Sequence, residues 1–171
     1  SVVGRDAARA EVFAARMRAH HPALVVESGT DAETAVRGAD IVCTVTDSSV
    51  PVLRGAWLRP GQHLNIVGAS IPSKREVDDE VVRRAAVVCD YRPSFFAQAG
   101  EIVEMQAAGA FGADDLRGEI GEVVSGATSG RRDADEITLY RSLGVAAQDL
   151  AAAHWVWERA QEKGRGVEVA F

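Results

Sequence analysis

Short apolar runs rich in β-branched residues alternate along this chain with longer segments whose apolar positions recur at helical spacing. Ser1 to Val3 reads as the tail of an apolar strand ended by Gly4-Arg5-Asp6, and Ala7 to Ala19 carries Ala10, Phe13, Ala14 and Met17 along a helical stripe with arginines opposite. Ala23 to Glu27 is predicted as a second strand, and Asp31 to Arg37 as a short helix with Asp31 as N-cap or first-turn acid. Asp40 to Thr46 is a third strand, whose β-branched run predicts burial on both faces of a parallel sheet. Asp47 to Pro51 is a loop, and Val52 to Pro60, containing Trp57, is an irregular connection.

The organising stretch is His63 to Pro72 with its continuation to Asp79. Asn65 to Val67 is a strand, Gly68 breaks it, Ile71-Pro72 forces an extended exit, and Asp78-Asp79 opens a helix running to about Ala85. In open α/β sheets ligands sit at the carboxyl ends of the strands, so the loop from Gly68 to Lys74 is where chemistry is expected. Ala86 to Asp90 is the next strand, Arg92 to Ala99 a helix, Ala107 to Gly112 a loop, Leu116 to Val124 a helix, and Ser125 to Asp133 a Gly/Ser/Arg linker. Glu136 to Tyr140 reads as a strand, with Ser142 capping a helix that runs to about Glu162 and ends at Gly164. Val167 to Phe171 is predicted as a last short strand. Strand and helix alternate, which predicts an α/β fold.

The 171 residues suffice for one domain with a core, or one domain and a docking tail; the division is taken as residues 1–134 and 135–171. A net charge of −6 with no basic stripe argues against nucleic acid or an anionic membrane as partner. No apolar run approaches the ~20 residues of a membrane span, and the first residues lack the apolar core of a signal peptide, so the cytoplasm is the expected location. Cys43 and Cys89 fall inside predicted strands rather than in a CxxC pair, which predicts buried free thiols and no metal site. His20, His21 and His63 have no partner at metal or triad spacing, and His154 with Trp155 and Trp157 reads as packing or interface.

Asp40 to Thr46, Pro51-Val52-Leu53, Pro60-Gly61, Asn65 to Ser70, Arg75 to Asp79 and above all Asp135 to Gly144 resemble the ornithine cyclodeaminase/mu-crystallin family of NAD(P)-dependent proteins, in the right order and over nearly the whole chain. The resemblance implies a Rossmann-type doubly wound parallel sheet with a C-terminal helix and tail returning toward a substrate and dimerisation domain. It also implies hydride exchange between nicotinamide and the carbon of an amine or imine, and a homodimer in full-length members.

By that resemblance Gly4, Arg5 and Asp6 follow the strand ending beside the adenosine ribose. An acidic side chain there takes the 2′-hydroxyl and an arginine can grip a 2′-phosphate, so Arg5 favours NADP(H) over NAD(H); a solvated turn arginine is the other reading. Thr44, Val45 and Thr46 end the next strand where family equivalents meet the dinucleotide, or are ordinary strand residues. Asn65, Val67, Gly68 and Ser70 line the nicotinamide side, and Lys74 matches a lysine that contacts cofactor in cyclodeaminases, or is a plain loop lysine. Ser70, the catalytic candidate, occupies the position of the cyclodeaminase aspartate, where mu-crystallin-like members carry serine. An alcohol is no general base near neutral pH without a base beside it, which disfavours ornithine deamination by the usual route. Ser142, for cofactor, and Leu143 and Gly144, for substrate, resemble the second cofactor loop, where a helix N-terminus would present free amides to a carboxamide or carboxylate; a plain cap with a close-packed glycine is the alternative. Gln98 falls near a ligand-facing family position.

The Gly-x-Gly-x-x-Ala fingerprint and first strand of that fold are expected before Ser1, as are the family's substrate-holding arginine and lysine; Gly164-Arg165-Gly166 follows a helix rather than a strand and does not replace the fingerprint. The sheet is therefore expected to be incomplete, with a slot between the strands of Val2-Val3 and Ile41-Val42. The chain then reads as the C-terminal part of a longer protein, or as a truncated product whose sheet is rearranged or completed by another chain, and by itself weak for dinucleotide and inactive. The functional expectation for the full-length protein is NAD(P)H-dependent reduction of an imine or the reverse oxidation. A non-catalytic ligand carrier and ornithine cyclodeamination are the alternatives.

Overall fold

A computed structural model describes residues 1–169. It contains seven strands, all parallel to their neighbours, in two sheets. The strands are β1 (Val2–Val3), β2 (Ser28–Gly29), β3 (Ile41–Thr44), β4 (His63–Ile66), β5 (Ala85–Cys89), β6 (Leu116–Glu119) and β7 (Ile137–Arg141). The helices are α1 (Ala7–His20), α2 (Ala32–Gly38), α3 (Asp79–Arg84), α4 (Arg92–Gln98), α5 (Gly100–Ala107), α6 (Ile120–Val124) and α7 (Ala146–Glu162). The larger sheet has the order β3-β4-β7-β5-β6; β1 and β2 pair separately.

The starts of α2 and α3 follow carboxylates in the sequence. Asp31 accepts from the amide of Thr34 at 3.1 Å, and Asp78 from those of Val81 and Gly55, both at 3.0 Å. Leu64, Ile66, Val87 and Leu139 point from the sheet into one core with Leu53, Val81, Phe95, Ile102 and Met105 of the covering segments. Gly55 packs so closely on Glu80 that a Cβ at that position would overlap its side chain.

Several expectations are corrected. Ala23 to Glu27 is not a strand: pairing with the two-residue β1 begins only where Val2 donates to the carbonyl of Glu27, and Leu24 and Val25 lie exposed. Leu116 to Val124 is half strand, because the edge of β5 pairs with Leu116 to Glu119 and overrides local helix propensity. β3 is not buried on both faces: Ile41 is 63% exposed, and Cys43, expected to be buried, is exposed beside half-buried Asn65 and Tyr140. These residues share the sheet face opposite the core. Cys89 is buried as expected. Ser142 does not cap α7, which begins after Val145; Gly144, at φ +90°, turns the chain in between. α7 buries no side chain, and Trp155 and Trp157 are both 58% exposed. Val167 to Val169 form no strand, and Ala170 and Phe171 lie outside the described residues.

β1 and β3 do not pair, and a gap of about 590 Å³ lies between their sheets, lined by Val3, Gly4, Arg5, Thr30, Ile41 and Thr44 among others. Its position is the slot expected from the strand order 3-2-1-4 of doubly wound sheets.

Candidate functional site

The residues singled out from the sequence as cofactor or substrate contacts lie on or beyond the carboxyl ends of parallel strands, because the strands share one direction, except Gln98, which ends α4 and is exposed. Gly4, Arg5 and Asp6 follow β1; Thr44, Val45 and Thr46 end β3; Asn65, Val67, Gly68, Ser70 and Lys74 sit on or after β4; Ser142, Leu143 and Gly144 follow β7.

The β4 and β7 ends are brought together directly. The Ser142 amide donates to the Ile66 carbonyl at 3.0 Å. Arg141, fully buried, donates from Nη1 to the carbonyls of Ile66 (3.3 Å) and Ser142 (3.1 Å) and from Nη2 to that of Ala69, while its Nε meets Glu101 at 2.7 Å. Glu101 is 2% exposed, and its second oxygen has no partner among the described residues. Gly100 beside it admits the backbone of Pro72 and Lys74 where any Cβ would collide, so the loop after β4 rests on the start of α5.

The β3 end joins through Glu76. This buried carboxylate accepts from Thr46 N–H, Thr44 Oγ1 and Gly68 N–H at 2.5, 2.8 and 2.7 Å. Asp90, after β5, does the same for the β7 end: its Oδ2 accepts from the amides of Leu143 at 2.6 Å and Gly144 at 2.7 Å, and from Ser142 Oγ at 3.3 Å. Next to it, burial pushes the Cys89 thiol up to about 12, helped by the anionic Glu119 and Asp90.

These contacts correct the expectation of free amides on the second loop. Leu143 and Gly144 give their amides to Asp90, and α7 begins only at Ala146. Asp6 likewise is engaged, capping α1 through the amides of Ala8 and Arg9 at 2.9 and 3.1 Å. Gly4 donates to Gly29, Lys74 pairs with the exposed Asp47, and Arg5, Val67 and Ser70 remain exposed. Glu76, Asp90, Glu101 and Arg141 had no role assigned from the sequence; Asp90, Glu101 and Arg141 stand in or beside apolar strand or helix positions, whereas Glu76 lies among charged neighbours and carries no such signal.

The family model for the ornithine cyclodeaminase/mu-crystallin family matches residues 1–164. The chain belongs to that family. Among relatives, it is 40% identical to the ketimine reductase mu-crystallin of Mus musculus over 126 residues, which is 74% of this chain and 37% of that protein. The Δ1-pyrroline-2-carboxylate reductase of Thermococcus litoralis, solved with NADH and L-proline, superposes with a TM-score of 0.88 at 31% identity, covering 96% of this chain and 50% of that one. An archaeal alanine dehydrogenase dimer with bound NAD superposes with a TM-score of 0.78 at 33% identity, covering 94% and 50%. The chain thus spans half or less of the length of these family members. The parallel sheet and helices are those of a Rossmann-like family fold, and the family's named members are NAD(P)-dependent reductases and cyclodeaminases of imines and amino acids. Among the described residues no helix is long and apolar enough to cross a membrane.

Proposed function

We propose that these strand ends form one part of a dinucleotide crevice in an NADP(H)-linked enzyme that exchanges hydride with the carbon of an imine or α-amino acid. The observation that carries this reading is the convergence of the β3, β4 and β7 ends on one edge of a family sheet, held by Glu76, Arg141 and Asp90. The residues fit the cofactor at its two ends. Arg5 borders the gap beside β3, exposed and placed for a 2′-phosphate, while the Asp6 carboxylate is turned into α1 and away from a ribose hydroxyl, which supports NADP(H) over NAD(H). Val67 and Ser70, exposed after β4, offer an apolar contact and a hydroxyl to the nicotinamide side or the substrate. The bound dinucleotide would supply the hydride. Ser70 would orient the imine rather than move its proton, since an alcohol needs a neighbouring base for that.

The amides of Thr46, Gly68, Leu143 and Gly144 all serve internal carboxylates and are not offered to a pyrophosphate. The gap between β1 and β3 is where a further parallel strand and its glycine-rich turn would complete the site. Because β7 lies in the middle of the sheet between β4 and β5, the expected boundary at residue 134 moves: residues 1–141 would be the dinucleotide part, and only the segment after β7, with the bare α7, would reach toward a substrate and dimerisation region. Small imines or amino acids are the proposed partners, in the cytoplasm, with dimerisation in the whole protein.

Titration of the chain with NADPH and NADH, followed by nicotinamide fluorescence, tests the reading. Weak saturable binding with NADPH ahead is expected; tight binding by the monomer, or NADH ahead, counts against it. In the full-length protein, absorbance of NADPH with a panel of cyclic imines, and of keto acids plus amines, then separates an enzyme from a ligand carrier, which would bind without turnover. Release of ammonia and proline from ornithine would instead point to cyclodeamination.

A further inference from the structure

Glu76 is fully buried, and its three partners are all neutral donors: Thr46 N–H on Oε1, and Thr44 Oγ1 and Gly68 N–H on Oε2. An ionised carboxylate in such a place is strongly unfavourable unless hydrogen bonds replace its water, and here donors occupy both oxygens. The donors come from two neighbouring strand ends. Thr44 pairs in register with Ile66, the last rung of the ladder, and beyond it the chains of β3 and β4 run on side by side without pairing. The Val67 amide still reaches the Thr44 carbonyl at 3.0 Å; past it, Glu76 carries the link across to Thr46. Gly68 completes the joint: a Cβ there would overlap the Thr46 backbone and come within 2.5 Å of the Glu76 carboxylate.

We propose that Glu76 is the positioning residue of the crevice, fixing the separation of Thr44–Thr46 from Val67–Ser70 and turning two amides inward, away from any anionic ligand. The proposal rests on the dinucleotide reading above for its functional consequence. Glutamine has the same shape but only one carbonyl oxygen. Whichever way it lies, its NH₂ faces the amide of Thr46 or of Gly68, so one wall is released while the side chain still fills its space.

The test compares Glu76→Gln with Leu116→Ala, a core truncation on β6 at the far edge of the sheet. Hydrogen exchange at the Thr46 and Gly68 amides and NADPH affinity are read for both. Glu76→Gln is expected to speed exchange at one or both amides about tenfold or more and to weaken NADPH binding about ten- to a hundredfold. Leu116→Ala should lower stability while leaving NADPH affinity within about twofold. Unchanged exchange and affinity in Glu76→Gln would overturn the proposal, as would an affinity loss that Leu116→Ala reproduces. If Glu76→Gln does not fold, Glu76→Asp, which draws the carboxylate back by one methylene from its donors, decides by exchange: faster exchange at the Thr46 or Gly68 amide supports the role, and wild-type exchange at both overturns it. If the wild-type chain binds no NADPH at all, the dinucleotide reading fails, and the exchange data alone still decide whether Glu76 holds the two walls.

Discussion

The β1–α1–β2 lobe and the five-stranded sheet are built from the same strand-helix-strand step, and they differ in what they bury. In the lobe only Ala10 and Ala14 of α1 are buried, while Phe13 is 48% and Val25 91% exposed. Its contacts are local and polar: Asp6 caps the helix, and the Ser28 hydroxyl and Arg18 hold the Glu11 carboxyl below its ordinary range. In the larger sheet Leu64, Ile66, Cys89, Phe95 and Ile102 are sealed, and buried charges tie neighbouring strand ends to one another. Capping and hydrogen bonding suffice to shape an element. Sealing it takes a second layer, which a two-stranded sheet cannot supply.

The largest effect that bears on this contrast is expected from Arg141→Ala, which strands Glu101 and the three carbonyls of Ile66, Ala69 and Ser142; a loss of about 3–5 kcal/mol in urea unfolding is expected. A loss no greater than that of a half-exposed lobe residue would erase the distinction. Next, Leu64→Ala should cost about 2–5 kcal/mol, against about 1 kcal/mol or less for Phe13→Ala. Hydrogen exchange should accordingly show α1 amides opening before those of β4, and equal protection would break the comparison. The smallest effect is one of pH. Hydrogen bonding to Arg117 lowers the Glu136 carboxyl to about 2, linking β6 to the start of β7. A carboxyl depressed on folding contributes stability that is complete above its ordinary value of about 4.3 and is lost as pH falls toward 2. Glu136→Gln should therefore flatten the acid limb of the stability curve between about pH 5 and 2, without altering exchange in the lobe.

Much of the fold is legible in local pattern. The β-branched runs locate β3, β4, β5 and β7, and Asp31 and Asp78 start their helices, because these signals act within a few residues. β6 is not legible, since its pairing with β5 is a matter of sheet edge rather than propensity. The site is half legible. Its loops are read correctly as the ends of parallel strands, but the amides of Thr46, Leu143 and Gly144 are not free, because their acceptors lie far along the chain: Glu76 is 30 residues from Thr46 and Asp90 is 53 from Leu143.

The sequence by itself determined the alternation of strand and helix, the family, and which loops gather at one edge, since periodicity and turn chemistry are properties of neighbouring residues. Only the tertiary structure decided which donors remain free at that edge and which carboxylates consume them. A buried charge must find its partners wherever packing brings them, and sequence distance carries no information about that.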